Sequence, residues 1–126
     1  MTANRVRFNR SLFTAPLNGG PADALIDNLA GEDIELVIDL RRSPPTRLDD
    51  LCASASMYYA WRDHVDSDAL AWAARLALRH RACVVGDPGE ERVRTSEAIA
   101  HLAGMRVIDI ERSPAPIAMG RFSPMP

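Results

Sequence analysis

Residues 34–45 read IELVIDLRRSPP, and this stretch decides the fold. Leu36, Val37 and Ile38 are three consecutive apolar residues. A strand with one face in water alternates, so an unbroken run predicts a strand covered on both faces. The run stops at Asp39, and Arg41, Arg42, Ser43 and two prolines follow. An acid and two guanidinium groups where a core strand ends mark either a structural tie or a site.

Outward from this strand the elements alternate. Residues 5–15, RVRFNRSLFTA, carry apolar residues at 6, 8, 12, 13 and 15 and predict a first strand. Asn18-Gly19-Gly20 is a turn, and Pro21 suits the first position of a helix. Leu25, Ile26 and Leu29 share one helical face, with Gly31 placed to stop it. Residues 41–56 read as loop with one short helical turn at LDDLCA, and MYYAW (57–61) as a short strand. The acids at 66 and 68 flank the start of an alanine-rich helix, ALAWAARLALRH, opened by a capping residue. ACVV (82–85) is a second buried strand and GDPG (86–89) a turn at its end. EERVRTSEAIAHLAG is a helix that Gly104 terminates, and MRVIDI (105–110) is the last strand.

This alternation predicts an α/β fold, a single three-layer domain with a mostly parallel sheet of about five strands. The domain spans 1–112, and residues 113–126 form a proline-rich C-terminal tail. With 126 residues a chain buries a real core without metal or disulfide staples.

Charge narrows the function classes. The formal net charge of -2 argues against general nucleic-acid binding, which needs a strongly basic face. All 15 cationic residues are arginine, so each offers a planar fork suited to phosphate or carboxylate. No run approaches a membrane span, and the N-terminal TANRVRFNR lacks the apolar stretch of a signal peptide. The expectation is a cytoplasmic protein with Cys52 and Cys83 reduced. Cys83 sits in an apolar run and is expected in the core. Two cysteines and the scattered His64, His80 and His101 give no metal-ligand spacing, and no cofactor is called for.

In parallel sheets, ligands sit beyond the C-terminal ends of the strands. Asp39, Arg41 and Arg42 fall at one such end, and Asp87, Arg92 and Arg94 fall at or just after another. If the second and fourth strands are neighbours, both segments face one crevice. The functional reading is an anion site: arginines clamp a phosphate, Asp39 orients one of them, and the GDPG turn adds backbone N–H groups. Arg41→Ala is then expected to abolish anion binding at little cost in stability. The structural reading makes Asp39 a loop cap paired with Arg41 or Arg42, and Arg92 and Arg94 a solvated helical face. Glu90 and Glu91 favour that second reading, because acids compete for the positive end of the helix dipole. Tyr58, Tyr59 and Trp61 either line a pocket or belong to a strand that packs on the core, and the second is expected; Trp72 is expected in the core. His64 beside Asp63 is either an acid–base pair or simply exposed, and His80 and His101 suit helix C-termini.

The segments LVIDLRRSPPTR (36–47) and ACVVGDPGEERVRTSEAIAHLAGMRVIDI (82–110) together resemble the bacterial domain-of-unknown-function family four-eight-eight. That resemblance spans about residues 8–111. It implies a small α/β fold and carries over Asp39, Arg41 and Arg94 as pocket residues. The family's strand-ending cysteine corresponds to Gly86, and its C-H-R triplet reads Arg92-Val93-Arg94. Thiol or histidine chemistry at those positions is therefore absent. Rhodanese-like sulfurtransferases and cysteine phosphatases also place D-x-R after a strand. Both need a cysteine in the loop that here reads GDPGEERVR, so neither activity is expected.

Three function classes follow. One is a domain binding a phosphate-bearing or other anionic small molecule. The second is a protein-interaction module, for which MYYAW and the tail permit a homodimer. The third is a hydrolase acting on a nucleotide, with Asp39 or Asp87 as acid or base and the arginines stabilising developing charge.

Overall fold

The computed structural model describes residues 11–17, 22–41 and 48–110. The expected strand segment 5–10, the turn at 18–20, Pro21, Arg42 and the tail at 113–126 lie outside the described residues.

Among the described residues, five strands and four helices alternate. In order they are β1 (Ser11–Pro16), α1 (Ala22–Gly31), β2 (Leu36–Asp39), α2 (Leu48–Ser54) and β3 (Tyr58–Trp61). Then follow α3 (Ser67–Arg79), β4 (Ala82–Gly86), α4 (Glu90–Ala103) and β5 (Arg106–Asp109). The strands form one parallel sheet in the order β3-β2-β4-β1-β5. The unbroken apolar runs take the inner places. All four residues of β2 and all five of β4 are buried, as a strand between two helical layers requires.

Side-chain alternation sorts the core into two layers. Phe13, Ala15, Val37, Cys83 and Val85 point to one face, where Ile26 and Leu29 of α1 and Leu48 and Cys52 of α2 cover them. Leu12, Leu36, Ile38, Ala82 and Val84 point to the other, under α3 and α4. Helix α3 meets the sheet through Ala69, Ala73, Ala74 and Ala77, all buried. Side chains this small let the helix axis lie close to the strands.

The helix ends follow local chemistry. Asp66 caps α3, its carboxylate accepting from Ala69 N–H at 2.8 Å. Gly104 ends α4 in the left-handed conformation at φ 70°, where a Cβ is disfavoured. Helix α1 ends at Gly31, as expected, and the left-handed residue that then turns the chain is Asp33, at φ 61°. A short aspartate tolerates that region better than most side chains. The expected single turn at 48–53 is a seven-residue helix, anchored by buried Leu48 and Cys52. Among the described residues, no helix is long and apolar enough to cross a membrane.

Candidate functional site

Strands β2 and β4 are hydrogen-bonded neighbours, with Ile38 opposite Val84 and Asp39 opposite Val85. Their C-terminal ends therefore open side by side. A crevice of about 620 Å³ lies there, lined from β2 by Leu40 and Arg41 and from β4 and its turn by Val84–Pro88. The β3–α3 loop adds Asp63–Asp66, and α4 adds Glu91, Arg92 and Thr95. The volume falls in the range of small-molecule sites, about 300–1,000 Å³.

Asp39 is fully buried at the floor of this region. Its Oδ1 accepts from the Arg41 backbone N–H at 3.1 Å and from Arg41 Nε at 2.9 Å. Its Oδ2 accepts from Arg41 Nη2 at 2.7 Å and from the Tyr59 hydroxyl at 2.7 Å. Four donors match the acceptor capacity of an ionised carboxylate. Asp39 therefore holds Arg41 in place; its oxygens are spent on the protein, and it does not line the crevice. Tyr59 reaches it because β3 lies beside β2, with Tyr59 opposite Val37. Burial, then the adjacent Asp39 carboxylate, push the Tyr59 hydroxyl well above the usual tyrosine range. Trp61 Nε1 donates to the Arg41 carbonyl at 2.7 Å and fixes the loop from the other side.

Arg41 does line the crevice, with its side chain only 10% exposed. A guanidinium carries five N–H groups. Asp39 occupies the edge formed by Nε and Nη2. Among the described residues no acceptor takes the Nη1–Nη2 edge, the end-on fork that suits a phosphate or carboxylate.

Arg92 corrects the expectation of a solvated helical face. It is buried, its Nη1 donating to Thr14 Oγ1 at 2.8 Å and lying 3.5 Å from Asp109 Oδ1. The Thr14 hydroxyl in turn donates to the Val84 carbonyl at 3.0 Å. Thr14 and Asp109 are register partners on β1 and β5, so one side chain ties α4 across two strands. It passes over Gly86, whose missing side chain would stand 3.5 Å from Arg92 Cγ. Arg94 behaves as the structural reading expected. It is 76% exposed, pairs with Glu90 at 3.0 Å, and stands away from the crevice. Asp87 is exposed on the crevice wall, and Arg42 lies outside the described residues.

The aromatic expectations split. Tyr59 and Trp72 are partly buried against the core, and the Arg62 guanidinium lies 4.6 Å from the Trp72 ring centre. Tyr58 and Trp61 do not pack inside: they are 64% and 43% exposed, because β3 is an edge strand. Asp63 and His64 sit on the crevice rim, His64 Nδ1 lying 2.8 Å from Asp63 Oδ1. Sequence reading preferred core packing over a pocket role for Tyr59 and Trp61, and left Thr14, Asp109, Asp66 and Glu91 out of the site. For Tyr59 and Trp61 the signal was present: a strand after the D-L-R loop that pairs with β2 puts its aromatics beside Asp39.

Both cysteines are buried and unpaired. Burial pushes the Cys52 thiol up to about 11, helped by Asp49 and Asp39, and pushes Cys83 higher still. Neither lines the crevice. Among the described residues, no group of three or more histidine, cysteine or acidic side chains is arranged to hold a metal ion.

Comparison with family models, with curated proteins and with solved structures finds no match for this chain.

Proposed function

We propose that the protein binds a small molecule bearing one anionic group, phosphate foremost, in the crevice at the C-terminal ends of β2 and β4. One observation carries this reading: Arg41 is oriented edge-on by Asp39 while its Nη1–Nη2 fork has no acceptor among the described residues. A guanidinium already held in place loses little conformational entropy when it binds. The same reading makes the chain a divergent relative of family four-eight-eight, with Asp39 and Arg41 as the shared elements.

The electrostatics restrict the ligand. Asp63, Asp66, Asp87 and Glu91 line the crevice, and each arginine there already faces a carboxylate, Arg41 with Asp39 and Arg92 with Asp109. The open Arg41 fork matches one anionic group through hydrogen bonds, and the four carboxylates repel every further charge. Nucleoside triphosphates and polyphosphate are disfavoured, and a singly charged phosphate diester or a carboxylate fits best.

The test is a thermal-shift panel of inorganic phosphate, nucleoside monophosphates, phosphate diesters, carboxylates and triphosphates. A ligand at a hundred times its dissociation constant stabilises the folded state by about 2.7 kcal/mol. The expected result is a shift for singly charged anions that Arg41→Lys removes, because lysine keeps the charge and loses the fork. A flat panel overturns the reading.

A second reading has its own observation. The edge strand β3 presents Tyr58 and Trp61 to solvent, which favours a protein-interaction module. Elution of the full chain as a dimer with an equally flat panel would favour that reading.

A further inference from the structure

We infer that the crevice is hydrolytic, with His64 as general base acting on a water molecule and small phosphodiesters as its substrate class. The inference rests on the anion-binding reading above and adds a reaction to it.

The starting point is the Asp63–His64 pair. The Asp63 carboxylate lies 2.8 Å from His64 Nδ1. A carboxylate at that nitrogen favours the tautomer with the proton on Nδ1, which leaves the Nε2 lone pair as acceptor. Both residues belong to the loop between β3 and α3, which lines the same crevice as Arg41. The loop is anchored at both ends. At one, Arg62 N–H donates to the Asp39 carbonyl at 3.1 Å; at the other, Asp66 caps α3. The carboxylate that holds the anion-binding arginine and the loop that carries the base thus meet at residue 39.

The reaction class follows from what the crevice contains. Asp39 cannot serve as base, since four donors occupy its oxygens. The thiols are buried away from the crevice and held protonated by burial. The proposed nucleophile is water. A phosphodiester carries one charge, which one open guanidinium fork matches in a crevice with four acidic residues; a dianionic monoester is repelled. In the step, His64 Nε2 takes a proton from water as the water oxygen bonds to phosphorus. The bond from phosphorus to the leaving oxygen breaks, and its electron pair leaves with that oxygen. The imidazolium returns the proton to the leaving oxygen. Diester and water become monoester and alcohol, and His64 ends as it began.

The experiment uses the full chain and bis(p-nitrophenyl) phosphate, with p-nitrophenolate release as one readout and the thermal shift by the same compound as the other. General base catalysis typically contributes 10²–10⁴-fold. The expected result is hydrolysis above buffer that His64→Gln lowers about 100-fold and Asp63→Asn lowers less. The thermal shift is retained in His64→Gln, whose exposed position leaves folding intact. A thermal shift without hydrolysis, or His64→Gln within threefold of wild type, overturns the hydrolytic inference and leaves ligand binding standing. No shift and no hydrolysis overturns both.

Discussion

The Asp39 carboxylate grips Arg41 through both oxygens, with Nε at 2.9 Å and Nη2 at 2.7 Å, and takes the Arg41 backbone N–H as well. Two residues apart in sequence, they form a closed unit at the end of a fully buried strand. Its members are unequal in their surroundings: Asp39 has no solvent exposure, while Arg41 keeps a tenth of its side-chain surface. The sequence alone makes Arg41→Ala look harmless to stability. The buried partner reverses that expectation. Arg41→Ala leaves a buried carboxylate with only Tyr59 and one backbone N–H, and breaking a buried pair typically costs about 3–5 kcal/mol. Chemical denaturation is expected to show a loss of that order for Arg41→Ala. A loss below about 1 kcal/mol would mean that water reaches Asp39. This is why Arg41→Lys is the better binding probe.

Tyr59 supplies the fourth bond to Asp39. Tyr59→Phe keeps the ring against the core and removes only the hydroxyl. A hydrogen bond to a charged group contributes about 1.5–3 kcal/mol. The expected loss lies in that range, and the double substitution with Arg41→Ala is expected to be non-additive, since both donors serve one carboxylate. Strict additivity in denaturant unfolding would contradict a shared network.

The two arginines of α4 test how far a residue's fate depends on register. Arg92→Ala removes the tie to Thr14 and leaves Asp109 without its buried cation, so a loss of several kcal/mol is expected. Arg94→Ala is expected to change stability by less than about 0.5 kcal/mol, as for most exposed ion pairs. Thermal denaturation of the two variants side by side checks this. Equal losses would show that the Arg92 cluster is not a stabilising tie.

That contrast also marks what was legible in the sequence. Leu36 to Ile38 announced a doubly covered strand, and Val84 and Val85 a second, because burial on both faces leaves a direct trace in composition. Asp39 and Arg41 were legible because they are two residues apart and punctuate a strand. Arg92 was not, because its partners Thr14 and Asp109 lie on strands whose adjacency only the order β3-β2-β4-β1-β5 creates. On the helix surface, sequence spacing gives Arg92 and Arg94 no distinguishing mark. The acidic lining was hidden for the same reason: Asp63 and Asp66 reach the crevice only because β3 adds beside β2.

Alkaline stability depends on two buried thiols and the partly buried Tyr59 hydroxyl. Burial raises the Cys52 thiol from 9.0 to about 11, and raises Cys83 and Tyr59 further. Each group holds its proton more tightly folded than unfolded. The stability each contributes is therefore complete below its unfolded value and falls as pH rises towards its folded value. Unfolding free energy is expected to be flat in these groups up to about pH 7.5 and to decline as pH passes about 8.5, the ordinary value of an unfolded thiol. Cys52→Ala should shallow the slope between pH 9 and pH 11. An unchanged slope would place the Cys52 thiol in contact with solvent.

The Trp61 indole provides an optical report on the proposed ligand. Its Nε1 donates to the Arg41 carbonyl at 2.7 Å, and it is 43% exposed on the edge strand. An anion on the Arg41 fork adds a charge close to this indole and restrains the loop that carries the carbonyl. The other tryptophan, Trp72, is partly buried in the α3 layer under Arg62 and has no hydrogen bond to this loop among the described residues. In Trp72→Phe, which leaves Trp61 as the sole tryptophan, a bound phosphate diester is expected to change emission intensity with the same concentration dependence as the thermal shift. In Trp61→Phe the change should vanish while the thermal shift persists, because the bond to the carbonyl positions the loop and does not touch the fork. A fluorescence change that survives Trp61→Phe would place the anion away from Arg41 and transfer the site to another part of the crevice.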